Sequence, residues 1–178
     1  MQKIFLSEKG YYVVKKNKEK LEKALDITLE FDGKTTTVKS RKNDSFIEYI
    51  TEKILDALAL GFDIDTALQL QDTDFILKKI DIRAYAKKSR VNIVKGRIIG
   101  TKGKTKDIIE KLSDCDIVVS DHNVAIIGKT ENVDLASHAI RSLIRGSPQS
   151  KVYAFLERSH NRLKELAEED IEEIIEKE

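Results

Sequence analysis

A Gly-x-x-Gly turn lies inside a strongly basic segment of this sequence, residues 95–106. Gly100 and Gly103 let the backbone turn tightly and approach a ligand closely, because glycine has no Cβ atom. A helix is predicted to follow at once, so its unpaired amide N–H groups and positive dipole end would face the same ligand. Three lysines add full positive charge at this turn: Lys102, Lys104 and Lys106. A chain of phosphate groups is the ligand that fits these features.

The positive charge of the chain is concentrated around this turn. Residues 87–111 hold nine lysines and arginines against two acidic residues, a local balance of +7, whereas the whole chain carries +1. A solvated lysine-rich face beside an ordinary loop would show the same charge, and charge alone leaves that alternative open. The glycine turn inside the basic segment favours an anion-binding site, and this combination is typical of nucleic-acid binding.

The composition argues against several other classes of protein. No stretch approaches the roughly 18 uninterrupted apolar residues of a membrane span, so no membrane contact is expected. The first residues lack the long apolar region and small-residue cleavage site of a secretion signal. The single cysteine, Cys115, cannot form an internal disulfide, which suits a reducing compartment. We therefore expect a cytoplasmic protein.

Catalysis is not expected from the side chains that could carry it. His122, His138 and His160 fall in different predicted elements and lack metal-ligand spacing. The acidic residues are spread over helix faces and caps and do not pair beside a nucleophile or a glycine loop. The sequence therefore predicts no catalytic residue, no metal site, no cofactor and no small-molecule substrate.

The elements around the glycine turn follow a definite order. Val91 and Ile93 are interpreted as part of a short strand that runs into a single helical turn before the glycines. A helix follows the glycines, and alternating apolar residues predict strands over 117–120 and 124–127. A closing helix over about 131–146 ends at a glycine. The order is strand, helix, Gly-x-x-Gly, helix, strand, strand, helix.

This order with this turn resembles a type I KH domain, a module that binds single-stranded RNA. The resemblance implies that the loop clamps the backbone of about four nucleotides. It assigns the clamp to four residues: Gly100, Thr101, Lys102 and Gly103. It also implies that three isoleucines line the apolar floor under the bases: Ile98, Ile99 and Ile109. Ordinary core packing is the open alternative for each isoleucine, while Arg97 and Lys104 would add phosphate contacts.

The first half of the chain repeats this plan in degraded form. Strands are predicted over 3–6, 27–31 and 35–38, with a short helix over about 20–25. A longer helix follows, in which Ser45 and Glu48 have the spacing of a capping box. Its predicted apolar stripe consists of Phe46, Ile50, Ile54 and Leu58, and Gly61 ends it.

The first half lacks glycines where its own turn should fall. Lys15, Lys16, Asn17 and Lys18 occupy that place. Their Cβ atoms are expected to keep a phosphodiester backbone away, and non-glycine residues other than Asn resist positive φ. We therefore expect a KH-like fold that is kept for shape, for protein contacts or for diffuse electrostatic support.

The predicted fold class is α+β, with two tandem type I KH-like units of order βααββα, a helical linker and a C-terminal amphipathic helix. Short helices are predicted over 63–70 and 72–80, because a flexible linker would not carry so many apolar residues. The predicted domains are a degenerate KH-like domain (1–62), a helical linker (63–86), a KH domain with an intact loop (87–146) and an acidic helical extension (147–178).

Residues 96–110 and 144–153 narrow the resemblance to one family. They are similar to the second KH motif, and to the end of its closing helix, in archaeal members of the partner-of-Nob ribosome-assembly factors. The resemblance implies binding near the 3′ end of small-subunit ribosomal RNA and partnership with the PIN-domain endonuclease that trims that end. A protein-interaction scaffold and a general single-stranded RNA-binding KH protein are the alternatives.

Overall fold

The computed structural model describes residues 2–33, 35–42 and 44–175 of the chain, with side chains as far as Leu166. The chain forms two compact units, Met1–Lys78 and Lys79–Glu178. Each unit follows the element order βααββα around a three-stranded sheet, so the predicted α+β class and KH-like order are confirmed. No helix in the described ranges is long and apolar enough to cross a bilayer.

The first unit wraps three helices around a sheet of strand order β1-β3-β2. Its elements are β1 (Gln2–Phe5), α1 (Glu8–Lys16), α2 (Lys18–Leu25), β2 (Ile27–Asp32), β3 (Thr35–Ser40) and α3 (Ser45–Leu60). Both neighbours pair antiparallel with β3, and Leu29 of β2 lies opposite Val38. Those two side chains are fully buried with Ile54 of α3, and this packing holds the helix on the sheet.

Helix α3 begins and ends as its sequence allows, although one predicted cap is wrong. The side chain of Asp44, not Ser45, caps the helix by accepting hydrogen bonds from the N–H groups of Phe46 and Ile47. Gly61 ends it with φ of 114°, a conformation that favours glycine. Phe46 does not join the buried stripe, because its side chain is 54% exposed. A short helix, α4 (Ile64–Leu68), follows.

The sheet of the second unit has the strand order β4-β6-β5. Its elements are β4 (Phe75–Asp81), α5 (Val91–Ile99), α6 (Lys104–Ser113), β5 (Asp116–Val119), β6 (Asn123–Lys129), α7 (Thr130–Arg145) and α8 (Gln149–Ile175). Strands β5 and β6 pair antiparallel, with Ile117 opposite Ile126. Both are buried together with Ile140 of α7, so the core lies between the sheet and its helices.

Two predictions about the start of the second unit are wrong. Val91 and Ile93 lie in α5, not in a strand, and the burial of Val91, Val94 and Ile98 follows a helical period. The first strand of the unit is β4, where the sequence predicts a second linker helix over 72–80. Short apolar runs do not distinguish a strand from a helix, and here pairing with β6 selects the strand.

Candidate nucleic-acid interface

The loop between α5 and α6 depends on its two glycines. Gly100 has φ of 75° and Gly103 has φ of 82°, both in the left-handed region. A Cβ atom on Gly100 would lie 2.2 Å from Thr105 Oγ1, so no larger residue fits without movement. Lys102, between them, lies in a tight 3-10 turn and also has a positive φ of 53°. Its side chain is exposed.

The start of α6 has the features of an anion site. Gly103 occupies the cap position, and no side chain caps the helix there. The first N–H groups of a helix lack intrahelical partners, and they carry the positive end of its dipole. Thr101, Lys102 and Lys104 surround this terminus, and all three are exposed. The loop can therefore offer both backbone donors and positive charge to a phosphate.

Two of the predicted phosphate-binding residues also have partners within the unit. Lys106 Nζ lies 2.7 Å from Glu110 Oε1, one turn further along α6. Arg97 donates from its NH2 group to the carbonyl oxygen of Ser147 at 2.6 Å. Phosphate contacts by Lys106 and Arg97 remain predictions, and both side chains also stabilise the unit itself.

The three isoleucines predicted as a floor for the bases differ in exposure. Ile98 and Ile109 are fully buried, so their side chains belong to the core beneath the loop and cannot contact bases. This burial corrects the prediction for those two positions, because both lie on the inner faces of α5 and α6. Ile99 is half-buried and stays a candidate for base contact.

Three side chains around the loop were missed as site residues by the sequence reasoning. Thr105 is only 2% exposed, and its hydroxyl lies 2.8 Å from Tyr153 OH and 2.9 Å from Gln149 Nε2. Gln149 and Tyr153 lie four residues apart, one turn of α8, just after the glycine that ends α7. That i, i+4 spacing was the available signal, since it places both on one helix face.

The corresponding place in the first unit contains no loop. Asn17 alone separates α1 from α2, with φ of −100° and ψ of 10°, and its Nδ2 group donates to the carbonyl oxygen of Val13. The sequence predicts side chains that obstruct a turn of normal length. The structure gives a simpler reason, because the segment that would form the turn is missing.

Aromatic rings lie beside this shortened connection. Tyr11 of α1 packs edge-on against Phe31 of β2, with ring centroids 5.6 Å apart. Lys15 Nζ lies 5.5 Å from the centroid of Tyr11, and Lys18 Nζ lies 5.8 Å from that of Phe31. These two lysines, in α1 and α2 on either side of Asn17, are therefore held over rings of their own unit.

Metal-binding side chains and the single cysteine are two kinds of group that could support catalysis. Within it, no cluster of three or more His, Cys, Asp or Glu side chains could hold a metal ion. Burial raises the pKa of the Cys115 thiol to about 12, so this thiol stays protonated at neutral pH. Cys115 packs against Gly128, where an added Cβ would lie 2.6 Å from its sulfur, and this position accounts for its burial.

Comparison with known proteins identifies relatives along most of the chain. Residues 76–161 match the family model for the second KH domain of PNO1, described as a eukaryotic type KH-domain (KH-domain type I). KH domain-containing protein MJ0443 of Methanocaldococcus jannaschii is 33% identical over 90% of this chain and 75% of its own. The pre-rRNA-processing protein pno1 of Emericella nidulans is 35% identical over 64% of this chain, which spans 46% of that relative.

A solved structure extends the similarity to the whole fold. A chain of the a/eIF2alpha-aDim2p-rRNA complex from Pyrococcus horikoshii OT3 superposes with a TM-score of 0.82 at 28% identity. The match covers 90% of this chain and 94% of that one, so it includes both units. The tandem βααββα units, the intact second loop and these matches agree, and the chain belongs to the PNO1/Dim2 family of KH-domain proteins, the partner-of-Nob family that its sequence resembles.

Proposed function

We propose that this protein grips single-stranded RNA near the 3′ end of small-subunit ribosomal RNA, using the loop between α5 and α6. The observation that carries the proposal is the uncapped start of α6, where a glycine loop and lysines occur together. Backbone donors at a helix terminus bind phosphate irrespective of base sequence, so the loop would fix the position of the RNA backbone. Bases would be read beside it, with Ile99 as one apolar contact.

Family membership supports ribosomal RNA as the ligand. The fungal relative is a pre-rRNA-processing protein, and the archaeal structure is of a complex that contains rRNA. The protein is an RNA-binding factor of ribosome biogenesis. The 3′ end as its binding site is our finer proposal, supported by the resemblance of residues 96–110 and 144–153 to the partner-of-Nob factors.

We further propose that the protein acts beside a PIN-domain endonuclease, which cuts the RNA that this chain holds. The resemblance to the partner-of-Nob factors supports this partnership. In this arrangement the chain supplies binding and position, and the nuclease supplies the chemistry, so the chain is not itself an enzyme. A cytoplasmic location is proposed because the single, buried cysteine suits a reducing compartment.

The double variant Thr101→Asp/Lys102→Asp tests the clamp directly. Both side chains are exposed, so the fold should be kept while two carboxylates face the phosphates. We expect the affinity for a short single-stranded RNA of the rRNA 3′ end to fall at least about tenfold at physiological salt. The dependence of log K on log salt should also become shallower, by about 0.7 for each phosphate that the variant no longer neutralises.

A charge-reversed pair in the first unit provides the control. Lys15 and Lys16 are exposed at the shortened connection, so Lys15→Asp/Lys16→Asp makes a similar change of charge where no loop exists. The control should bind the RNA within about twofold of the parent, because the shortened connection has no turn in which a phosphate could be bound. Parental affinity in the Thr101/Lys102 variant would show that the clamp is assigned to the wrong residues.

A protein-interaction scaffold is the second candidate function, and one surface of the first unit favours it. Phe46 and Tyr49 are each more than half exposed on α3, beside a groove of about 330 Å³ that Leu70 also lines. Exposed aromatic side chains beside a groove are typical of protein-binding surfaces. Salt-insensitive or absent RNA binding, together with tight binding of the endonuclease, would favour the scaffold over the RNA clamp.

A general single-stranded RNA-binding KH protein is the remaining alternative. Crosslinking in cells separates it from the proposed function. Crosslinks concentrated at the 3′ end of small-subunit rRNA support the ribosomal role. Crosslinks spread over messenger RNA would replace it with the general one.

A further inference from the structure

One side chain of α8 forms hydrogen bonds to both helices that flank the Gly-x-x-Gly loop. Gln149 Nε2 donates to the carbonyl oxygen of Arg97, in the last turn of α5, at 3.1 Å. The same nitrogen donates to Thr105 Oγ1, in the first turn of α6, at 2.9 Å. An amide nitrogen carries two hydrogens, so it can satisfy both acceptors at once. Because a carbonyl can only accept, the Arg97 contact also fixes which way the Gln149 amide points.

A second side chain of α8 holds the same hydroxyl. Tyr153 OH lies 2.8 Å from Thr105 Oγ1. Since Thr105 Oγ1 accepts from Gln149, it still has one hydrogen to donate and one further lone pair, and either suits the phenol. Thr105 is 2% exposed, so these two contacts, and not water, determine the position of its hydroxyl.

Thr105 in turn packs against the first glycine of the loop. A Cβ atom placed on Gly100 would lie 2.2 Å from Thr105 Oγ1 and 2.7 Å from Thr105 Cβ. The threonine therefore fills the space beside the Gly100 Cα, where the chain takes φ of 75°. If Thr105 moved, Gly100 at the start of the loop would lose the side chain against which it packs.

We propose that Gln149 and Tyr153 are positioning residues for the RNA clamp. They hold Thr105 against Gly100 and tie α5 to α6, so the loop has its phosphate-binding conformation before RNA arrives. The inference rests on the proposed function of this loop. A preorganised loop loses little conformational freedom on binding, whereas a loop that must first be ordered binds more weakly by the fraction of time it is competent.

This role predicts a distinct effect of salt. Gln149 and Tyr153 are uncharged, and they act through hydrogen bonds inside the unit. Removing them should lower RNA affinity by the same factor at every salt concentration. Removing a phosphate contact lowers affinity and also changes the slope of log K against log salt.

The test uses Tyr153→Phe and Thr105→Val in the full chain, titrated with a short single-stranded RNA of the rRNA 3′ end over a salt series. Each variant removes one hydroxyl and keeps the shape of the side chain. We expect affinity to fall about three- to tenfold, the value of one net hydrogen bond, with an unchanged salt slope. Amide exchange at residues 100–104 should become faster in the free protein, and Thr105→Ser should bind more tightly than Thr105→Val.

Tyr85→Phe is the matched control, because it removes a tyrosine hydroxyl elsewhere in the second unit. Its ring lies under Arg141 and is 41% exposed, so its RNA affinity and loop exchange should match the parent. A general loss of stability would instead lower the affinity of Tyr153→Phe, Thr105→Val and Tyr85→Phe alike, in step with the decrease in their melting temperatures. That result would overturn the positioning role.

Combining Tyr153→Phe with Thr101→Asp/Lys102→Asp separates the inference from the proposed function. If the loop carries the effect, Tyr153→Phe should cause no further loss of affinity once the clamp is disabled. An equal loss in both backgrounds would overturn the positioning role. Parental binding by Tyr153→Phe and Thr105→Val, beside weak binding by the Thr101/Lys102 variant, would overturn it while leaving the clamp intact. Parental binding by the Thr101/Lys102 variant would overturn both.

Discussion

The same hydrogen bond, from a backbone N–H to a glutamate side chain, occurs in both units. In the first, Glu22 Oε1 of α2 accepts from the backbone N–H of Leu29 at 2.7 Å, and in the second, Glu110 Oε1 of α6 accepts from that of Ile117 at 2.7 Å. Each acceptor lies seven residues before its donor. In both units this bond ties the second helix to the strand that follows, so the two halves share the frame of the fold.

The residues that end the helices also correspond between the two units. Asp26 and Asp114 end the second helices in the left-handed conformation, with φ of 52° and 50°. Helices α3 and α7 each have 16 residues and stop at a left-handed glycine, Gly61 or Gly146. These shared positions show that differences between the units are local.

The units diverge at the connection between their first two helices. A single residue, Asn17, connects α1 to α2, whereas four residues, 100–103, connect α5 to α6. Three residues of the longer connection have positive φ, while the φ of Asn17 is negative. Lysines flank both connections, so charge does not distinguish them. Backbone shape, and not the number of lysines, is therefore what distinguishes the proposed clamp from its counterpart in the first unit.

The largest effect is expected from Gly100→Ala. Its Cβ atom would clash with Thr105 at a φ of 75°, so the loop should be displaced and RNA affinity should fall more than about tenfold. Stability should fall by about 1–3 kcal/mol, as measured by urea unfolding.

Gly96→Ala, four residues earlier in α5, is the control. No atom lies within 4 Å of its added Cβ, and its backbone is helical. This variant should be stabilised by about 0.5–1 kcal/mol. Equal effects of the two substitutions would contradict the claim that loop shape is decisive.

Glu22→Ala and Glu110→Ala test the shared frame of the two units. Each variant leaves a backbone N–H without its carboxylate, and a loss of about 1–3 kcal/mol in the free energy of unfolding is expected for each. The loss should be larger for Glu110, because its ion pair with Lys106 measures 2.7 Å while Glu22 lies 3.7 Å from Lys18. Amide exchange at Leu29 and Ile117 measures the stability of each unit separately. A loss in one unit only would show that the two frames are not equivalent.

The smallest effect is expected at the end of α8, for which the first unit has only the five-residue α4. Residues 161–178 hold eight acidic and three basic residues, although the side chains from 167 onward lie outside the described residues. If this segment competes with RNA for the lysines around the loop between α5 and α6, truncation after Asn161 should tighten binding about twofold at low salt. Screening over a Debye length of about 8 Å should remove the gain at physiological salt. Unchanged affinity across the series would reject competition.

Sequence reasoning predicted most of this fold, and its two errors of element type, at 72–80 and at 91–93, have a common cause. The loop glycines, the antiparallel strands β2 and β3, and the helices that end at Gly61 and Gly146 all carry local signals. The strand β4 was predicted as a helix, because Phe75, Ile76 and Leu77 form a short apolar run without a period. Only its pairing with β6 shows that the run is extended.

The candidate site also has one part that the sequence predicts and another that it does not. The sequence by itself determined where phosphate could bind, because Gly100, Gly103 and the lysines around them carry their chemistry and their backbone preference locally. It could not determine which neighbours face the ligand, so Ile98 and Ile109 proved to be buried. Side-chain burial depends on which faces of two helices meet, and residue types along one helix do not specify that meeting.

Tertiary structure alone decided what supports the loop. Gln149 lies 52 residues from Arg97 and 44 from Thr105 along the chain, and only the packing of α8 against α6 brings them together. The contacts within the loop are local and are encoded by its glycines. The contacts that hold it in place join distant segments, and their geometry exists only after the hydrophobic core has fixed the helices that carry them.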